Sequence, residues 1–462
     1  MRYISTRGRA PVLGFEEAML TGLARDGGLY LPERIPAMSH EEIRALEGQS
    51  YEEAAFRMMR PFIGNAFTDE EFRGIIARAY AGFGHAARAP LRQLAPGHFL
   101  LELFHGPTLA FKDFAMQLIG QMFETSLRRS GQRVCIVGAT SGDTGSAAIE
   151  AFRGLDAVDV FILYPHGRVS EVQRRQMTTP AESNVHALAI EGHFDDAQAR
   201  VKDMFNDFAF RDGVRLAGVN SINWARVLAQ VVYYFTSAVS LGAPDRRVSF
   251  TVPTGNFGDV FAGFIAQRMG LPIDRLVVAT NQNDILHRCL GTGEYRPEGV
   301  IPSISPSMDI QVSSNFERAL FYAYGQDGAA VAQVMEELKA GGFRVSQGAL
   351  EALREVFASG RCDEDATRAT IRRTLETTGE LLCPHSAVGV HVAEAHRVPG
   401  VPMITLATAH PAKFPAAVEE ASGVRPPLPE RMADLYERDE RVTRLPNELA
   451  AIETLIKERI AH

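Results

Sequence analysis

The chain has 462 residues, which is too long for one ordinary hydrophobic core, so we expect two or three packed units. Its 46% hydrophobic and 23% charged residues are typical of a folded globular protein and exclude extensive disorder. The formal charge of −8, from 48 Lys and Arg against 56 Asp and Glu, excludes a strongly basic nucleic-acid or acidic-membrane binder. We therefore expect no nucleic acid and no membrane as partner, whereas a small anionic substrate stays compatible with this charge because a few local donors can bind a phosphate.

The cysteines are far apart in the sequence and predict neither a disulfide framework nor a zinc site, so we expect no metal ion. The first residues lack the apolar stretch of a secretion signal, which favours a cytoplasmic location. Residues 227–242 form the most apolar long segment. This segment includes polar side chains and is shorter than a membrane span, so we interpret it as a buried helix.

The elements predicted along the chain begin with a helix-rich region at residues 1–95, which has helix starts near Phe15 and Ser50. Between these two helices, residues 26–32 have turn chemistry followed by a short extended run. From about residue 96, short apolar strands alternate with helices. We expect the strands at residues 133–137, 158–164, 185–190, 248–252, 276–280 and 402–408. This alternation predicts an α/β fold built on parallel sheets.

The predicted domains follow from these changes in pattern. We expect an N-terminal domain at residues 1–95 and a first α/β domain at 96–217. A second α/β domain at 218–426 is expected to contain a helical insertion at about 315–379, which we place outside the sheet. Residues 427–462 are charged and helical at their end, and we expect them to form a helical tail on the surface.

The first turn of interest, at residues 138–145, follows the strand expected at 133–137 and is rich in glycine and hydroxyl groups. It has no Walker lysine and does not have the GxGxxG spacing. Exposed backbone amides, three hydroxyls and the carboxylate of Asp143 at a helix start suit a substrate carboxylate. A tight turn without a ligand has the same composition, so this turn alone leaves both interpretations open.

A second turn of this kind, at residues 252–259, follows the strand expected at 248–252. Gly255 and Gly258 allow the backbone to approach a ligand closely, and Thr254 and Asn256 add donors beside a helix N-terminus. These features suit a phosphate, although an ordinary strand-to-helix turn can look alike. Two such turns in one chain favour a phosphorylated ligand.

Lys112 lies between Phe111 and Phe114, directly before a predicted helix. A lysine held against apolar surface at the positive end of a helix should have a lowered pKa, because its charged form is poorly solvated. A neutral amine is what Schiff-base chemistry needs. The alternative is a surface lysine whose stem lies along apolar residues, and the aromatic neighbours disfavour it.

A third polar turn follows the strand expected at residues 402–408. Thr408 ends this strand, and His410 and Lys413 lie just beyond it. A single histidine next to a proline is more often structural than catalytic, so the motif alone favours a structural role for His410.

Taken together, these residues resemble the threonine synthase family of fold-type-II pyridoxal-phosphate enzymes. The resemblance covers nearly the whole chain, and it depends on many motifs occurring in the order that is usual in the family. These motifs are residues 3–8, 22–32, 105–113, 140–148, 220–226, 253–259, 314–318 and 409–414.

The resemblance implies a tryptophan synthase β-like fold, with two open parallel-sheet domains and an N-terminal accessory domain. It also implies pyridoxal 5'-phosphate as cofactor and the conversion of O-phospho-L-homoserine and water to L-threonine and phosphate, the last step of threonine biosynthesis. Lys112 would be the catalytic lysine that forms the Schiff base. Oligomeric state stays undecided between monomer and homodimer.

Two sets of binding residues follow from the same resemblance. Residues implied to bind the cofactor, with the glycine turn at its phosphate and Thr408 at its pyridine nitrogen, are Lys112, Asp143, Thr254, Gly255, Asn256, Phe257, Gly258 and Thr408. Residues implied to bind the substrate are Thr140, Ser141, Gly142, Asp143, Thr144, Ser221, Asn223 and Arg226. Arg226 is included because a guanidinium suits a phosphate.

One motif departs from the family pattern. The family usually has Asp-Pro-His-Thr-Ala-Val-Gly, and this chain has Cys383-Pro-His-Ser-Ala-Val-Gly. Ser386 keeps the hydroxyl, whereas Cys383 removes a charge. We expect local structural consequences and no loss of activity.

Two other functions compete with this interpretation. Serine or threonine dehydratases and O-acetylserine sulfhydrylases share the lysine, the glycine-rich loop and the hydroxyl at the pyridine nitrogen. They typically lack the N-terminal region and the helical insertion. A non-catalytic family member would usually have lost the lysine or the phosphate loop, and both are present here.

Overall fold

A computed structural model describes residues 1–460, apart from the side chain of Asp195; residues 461 and 462 of the predicted tail lie outside the described residues. Within this range the strands are β1 (Tyr3–Ser5), β2 (Tyr30–Pro32), β3 (Leu91–Ala95), β4 (His98–Glu102), β5 (Val134–Ala139), β6 (Val158–Pro165), β7 (Val185–Ile190), β8 (Leu216–Ala217), β9 (Val248–Pro253), β10 (Ile273–Thr280), β11 (Glu294–Tyr295), β12 (Phe343–Arg344), β13 (Phe357–Arg361), β14 (Met403–Ala407) and β15 (Thr443–Leu445).

The α-helices of the same residues are α1 (Phe15–Thr21), α2 (His40–Arg44), α3 (Tyr51–Ile63), α4 (Asp69–Tyr80), α5 (Lys112–Ser130), α6 (Asp143–Phe152), α7 (Glu171–Thr178), α8 (Phe194–Asn206), α9 (Phe208–Gly213), α10 (Trp224–Ser240), α11 (Gly258–Arg268), α12 (Ile285–Thr292), α13 (Phe316–Ala323), α14 (Gly328–Lys339), α15 (Gln347–Val356), α16 (Glu364–Thr378), α17 (Pro384–His396), α18 (Pro415–Ser422) and α19 (Leu449–Arg459). Short 3-10 helices lie at Pro306–Met308, Pro411–Lys413 and Glu430–Tyr436.

The N-terminal region is helical as predicted. α1 begins at Phe15, and α3 begins directly after Ser50, whose hydroxyl accepts a hydrogen bond from the Glu53 amide at 3.1 Å. Thr68 caps α4 in the same way, with Glu71 completing a capping box. These caps satisfy amides that have no acceptor within the helix, which is why the helices begin at these residues.

One sheet has five strands in the order β15-β7-β6-β5-β8, and each neighbouring pair is parallel. Every residue of β6 is buried, as expected for a parallel strand with both faces covered. β15 belongs to the stretch expected to be a helical tail, so that expectation was incomplete. Because β15 has only three residues, its pairing with β7 could not be seen as a local pattern.

The second sheet has six strands in the order β13-β10-β9-β14-β4-β3, parallel except between β3 and β4. Two expectations are corrected here. β4 was assigned to the first α/β domain, but it pairs with β14 in this sheet. β13 lies in the helical insertion that we expected outside the sheet, yet it pairs with β10. Its sequence, Phe-Ala-Ser-Gly-Arg, lacks an apolar run, and its place is set by the backbone partners that β10 provides.

The helix that begins with Lys112 is held firmly in the core. Phe114 of α5 packs against Phe83 and Tyr233, with ring centroids 4.8 and 5.5 Å apart. α10 is the buried apolar helix predicted at residues 227–242, and it contacts α5 along its length. None of the helices within residues 1–460 is both long and apolar enough to span a lipid bilayer. The predicted α/β fold with parallel sheets is confirmed.

Candidate active site

Lys112 is the first residue of α5, and it is buried with 8% of its surface exposed. Its Nζ lies 3.4 Å from Oδ2 of Asp143 and 4.9 Å from the centre of the Phe111 ring. Burial lowers the pKa of Lys112, Asp143 acts in the opposite direction, and the cations Lys413 and Arg226 lower it further. The predicted direction of the Lys112 pKa shift is therefore confirmed, with burial as its largest cause.

The turn at residues 140–144 joins β5 to α6 at the carboxyl end of the five-stranded sheet, where ligands bind in open α/β sheets. The Thr140 hydroxyl accepts hydrogen bonds from the amides of Gly142 and Gly145, both at 2.9 Å. Gly142 has φ of +136°, and a Cβ there would meet the Gln173 side chain at 2.3 Å. Ser141 and Thr144 are partly exposed beside it. The turn therefore delivers Asp143 to the site in one backbone conformation.

Asp143 is surrounded by residues whose roles the sequence did not reveal. Its Oδ1 accepts a hydrogen bond from Gln173 Nε2 at 2.8 Å and lies 3.0 Å from Nζ of Lys413. Its Oδ2 accepts from the Ser307 hydroxyl at 3.2 Å. Despite burial, Lys413, Lys112 and these donors hold the pKa of Asp143 well below its usual range. Of these residues, only Lys413 could be noticed in the sequence, because it follows Thr408 in a polar turn.

His385 completes this group of residues. Its Nε2 accepts the Ser307 amide at 3.2 Å, and burial lowers the pKa of His385 to about 4, so the ring is neutral. His410, in contrast, caps the 3-10 turn after Thr408, where its Nδ1 accepts the Ala412 amide at 3.1 Å. That contact agrees with the structural role that the sequence favoured for His410.

The turn at residues 254–258 joins β9 to α11 and presents backbone amides. Within residues 1–460, the amides of Gly255, Asn256, Phe257 and Gly258 donate to no protein acceptor. A Cβ at Gly255 would meet the Ser307 carbonyl oxygen at 2.6 Å, and Phe257 has φ of +63°. Four free amides at the N-terminus of a helix are an anion site, because the helix dipole adds to their hydrogen bonds.

Thr408 follows β14 and lies next to the lysine. The Phe111 amide donates to the Thr408 carbonyl at 2.8 Å, which places this residue beside Lys112. The Thr408 side chain is buried, and its hydroxyl has no hydrogen-bond partner among the described residues. It is therefore available to a ligand.

The three residues expected from the segment 220–226 differ in their surroundings. The Ser221 hydroxyl is 3.5 Å from that of Ser314, which in turn donates to Asn256. Asn223 caps α10 with its Oδ1, and its Nδ2 donates to the Met19 carbonyl at 2.7 Å. Since Asn223 is fully buried with both ends of its amide engaged, the structure gives it a structural role and corrects its assignment as a substrate contact.

Arg226 is buried, and among the described residues no carboxylate pairs with it. Among the described residues, its guanidinium makes one hydrogen bond, from Nη1 to the Val219 carbonyl at 3.3 Å, and its Nε has no partner. Burial lowers the pKa of Arg226 to about 10. A buried guanidinium without a counter-ion is costly, which indicates that an anion completes the site.

The comparisons with known proteins agree across the whole chain. Family profiles described as "Threonine synthase N terminus", "Pyridoxal-phosphate dependent enzyme" and "Threonine synthase, C-terminal" match residues 2–80, 85–408 and 386–456. A threonine synthase from Pseudomonas aeruginosa is 55% identical over 461 residues, which cover 99% of this chain and 98% of that protein. The chain belongs to the threonine synthase family.

Two solved structures extend this likeness to three dimensions. A PLP-bound threonine synthase from Brucella melitensis is 58% identical, with a TM-score of 0.97 over 99% of both chains. Threonine synthase from yeast is 39% identical, with a TM-score of 0.94 over 99% of this chain and 98% of that one. The expected family, fold class and cofactor, pyridoxal phosphate, are confirmed.

The residues present fit this cofactor of the threonine synthase family. The free amides of the 254–258 turn suit its phosphate, and the unpartnered Thr408 hydroxyl suits a ring nitrogen. The amine of Lys112 is buried, and burial lowers its pKa, which favours the neutral form that Schiff-base chemistry needs. Within residues 1–460, no cluster of three or more His, Cys, Asp or Glu side chains is arranged to hold a metal ion.

Cys383, where the threonine synthase family usually has aspartate, is the N-cap of α17. Its buried sulfur accepts from the Ser386 amide at 3.4 Å and lies 3.1 Å from the Ser386 hydroxyl. Burial raises the pKa of the Cys383 thiol. The cysteine thus occupies the capping position that aspartate favours, with a weaker acceptor atom.

Replacing Cys383 by alanine is expected to lower the free energy of unfolding by about 1 kcal/mol, because α17 loses its cap. Steady-state activity should change less than about twofold, since alanine removes no atom bonded to Lys112 or Asp143. Urea unfolding and initial rates measure the two effects. A large loss of activity at unchanged stability would give Cys383 a chemical role instead.

Proposed function

We propose that this chain converts O-phospho-L-homoserine and water to L-threonine and phosphate. The observation that carries the proposal is its likeness, over 99% of its length, to proteins named threonine synthase at 55% and 58% identity. The site supports it with the buried amine of Lys112, one set of free amides and a buried guanidinium that has no counter-ion among the described residues. We also propose that the protein works in the cytoplasm on this small molecule, without nucleic acid or membrane as partner.

In this proposal the chain holds pyridoxal phosphate through the 254–258 turn, Thr408, Asp143 and Lys112. When bound, the cofactor supplies an electron sink for negative charge that develops beside the substrate's amino group. Asp143 is fixed by Gln173 and Ser307, so it can hold the ring hydroxyl in one orientation. Thr408 offers a hydroxyl in place of a carboxylate at the ring nitrogen and so leaves that nitrogen less firmly protonated.

Lys112 moves the protons of the reaction. Its neutral amine takes the α-proton and returns protons to the substrate as phosphate leaves the γ-carbon. The β-carbon loses one hydrogen and gains the hydroxyl of water, while the γ-carbon gains one hydrogen in place of phosphate. One amine that both accepts and donates protons accounts for a site whose His385 is neutral and whose His410 caps a turn.

The substrate's two anionic groups are assigned to different residues. We place its carboxylate at the turn that contains Thr140, Ser141, Gly142 and Thr144, beside the N-terminus of α6. We place its phosphate at Arg226, which is near enough to Lys112 to lower its pKa and has no counter-ion among the described residues. Ser221 is linked through the Ser314 hydroxyl to Asn256 and is proposed to assist in binding the substrate.

Arg226→Gln is expected to raise KM for O-phospho-L-homoserine by about tenfold or more, because the substrate phosphate loses a charged partner. Glutamine removes the charge and keeps a polar side chain that can donate hydrogen bonds. Initial rates across substrate concentrations separate KM from kcat. Arg268→Gln, on the exposed end of α11, is the control and should leave both unchanged. An unchanged KM in Arg226→Gln would remove Arg226 from the phosphate site.

The function is tested by incubating the cofactor-loaded protein with O-phospho-L-homoserine and following phosphate and threonine together. Equal release of both is the expected result. If neither product forms, serine, threonine and O-acetylserine are offered in turn, and formation of an oxoacid or a thioether precursor would support a dehydratase or a sulfhydrylase. Inactivity with every substrate would support a non-catalytic member.

A further inference from the structure

Lys413 is fully buried, and hydrogen bonds hold both its backbone carbonyl and its side-chain amine. It closes the 3-10 turn Pro411–Lys413 and has 0% of its surface exposed. Its carbonyl accepts the Ser170 hydroxyl at 2.8 Å. Its Nζ donates to the Thr108 carbonyl at 2.8 Å and lies 3.4 Å from the Ser146 hydroxyl. These contacts hold the Lys413 ammonium in one position, because its donors are directed at oxygen atoms.

The charge of Lys413 faces the same carboxylate as the catalytic lysine. Its Nζ is 3.0 Å from Oδ1 of Asp143, whereas the Lys112 Nζ is 3.4 Å from Oδ2. One buried carboxylate therefore lies between two lysines. Beside Lys112 alone, Asp143 would favour the protonated amine, which can neither attack nor accept a proton.

Apart from the two lysines, no cation among the described residues forms an ion pair with the Asp143 carboxylate. Charged and titratable groups that interact with Lys112 from the surrounding elements are Asp143, Lys413, Arg226, His385 and Asp259. His385 is neutral, and Asp259 accepts hydrogen bonds from Tyr233 and Tyr234. Within residues 1–460, Lys413 is the only other lysine in contact with the Asp143 carboxylate.

We propose that Lys413 is a positioning residue for this reaction: it neutralises and fixes Asp143, so that Lys112 is free to release and accept protons. The inference rests on the proposed function only for the identity of the reaction. Physically, the Lys413 ammonium beside Oδ1 weakens the attraction of the Asp143 carboxylate for the Lys112 proton.

Lys413→Met keeps the length of the side chain and removes the charge. Visible absorbance of the cofactor-bound enzyme follows the protonation of the Lys112 nitrogen as pH changes. Its midpoint should move upward by about one pH unit, because Asp143 then acts on Lys112 without a competing cation. Below that midpoint kcat should fall about tenfold and recover as pH rises, while KM changes less than about twofold. A purely structural role of Lys413 would not move the midpoint.

Asp143→Asn and the double variant complete the test. Asp143→Asn should move the midpoint downward, because the Lys112 proton loses its anion while Lys413 stays charged. Lys413→Met/Asp143→Asn lacks both charges, and its midpoint should return close to that of the unaltered protein. The double variant removes the Asp143 and Lys413 charges together and so leaves neither of them unpaired, which is why it should fold even if Lys413→Met does not. If Lys413→Met does not fold, the test compares the other two variants: the pH midpoint of the double variant must be higher than that of Asp143→Asn.

An unchanged midpoint in Lys413→Met, or shifts of both single variants in one direction, would overturn the proposal. Lys339→Met, at an exposed lysine paired with Glu336, is the matched control and should leave the midpoint in place. Because the midpoint is read without substrate, it tests Lys413 even if O-phospho-L-homoserine is not turned over. Failure of the proposed function and failure of this inference are therefore separate results.

Discussion

Lys112→Ala is expected to reduce the formation of threonine and phosphate by at least about a thousandfold, because the proposed mechanism loses the amine that transfers protons at the reacting carbons. The variant should still fold. Asp143 keeps Lys413 at 3.0 Å and its hydrogen bonds from Gln173 and Ser307, so no buried carboxylate is left unpaired. On one preparation, thermal unfolding measures stability, visible absorbance measures bound cofactor, and the combined product assay measures activity.

Lys112→Arg distinguishes the amine from its charge. A guanidinium retains the positive charge beside Asp143 but does not lose its proton near neutral pH, so this variant should be as inactive as Lys112→Ala. Lys457→Ala, on the exposed face of α19, is the control and should be fully active. Near-normal turnover in either Lys112 variant would contradict the assignment of the catalytic lysine.

Gly255→Ala is expected to weaken pyridoxal phosphate binding by about ten- to a hundredfold. Its new Cβ would lie 2.6 Å from the Ser307 carbonyl and 3.1 Å from Ile310, so one of the two loops must shift. A shift of the glycine loop redirects the amides of residues 255–258 and weakens their hydrogen bonds to a phosphate. Titration of the cofactor-free protein by absorbance gives the dissociation constant.

Gly348→Ala provides the matched control for this loop. It makes the same change near the start of α15, where a Cβ would meet no heavy atom within 4 Å. Its cofactor affinity should equal that of the unaltered protein. Wild-type affinity in Gly255→Ala would show that the loop accommodates the methyl group and that the close approach is not required for binding.

The strands that could be predicted from the sequence are those with long apolar runs. β6 and β9 are buried at every position, and such runs remain visible whatever they pair with. β13 and β15 are short and of mixed polarity, and they are strands because β10 and β7 offer them backbone partners. Pairing between distant segments depends on which elements meet, and no local pattern records it.

The candidate site divides in the same way. Lys112 with its aromatic neighbours and the turns at residues 140–144 and 254–258 could be identified from the sequence, because glycines, hydroxyls and caps act over a few residues. The family resemblance then supplied the cofactor and the reaction. The surroundings of Asn223 could not be predicted in this way. Only the packed structure reveals that its amide donates to the Met19 carbonyl and accepts from a backbone amide of α10.

The sequence by itself determined the fold class, the lysine and the two turns that approach ligands, since each depends on local backbone conformation or on a continuous apolar run. Only the tertiary structure decided what surrounds the lysine. Residues 112, 143 and 413 are separated by 31 and 270 positions, and three different elements bring both lysines within 3.4 Å of the Asp143 carboxylate. The electrostatic environment of Lys112 therefore depends on the tertiary structure, because Coulomb interactions depend on distance in space and on burial.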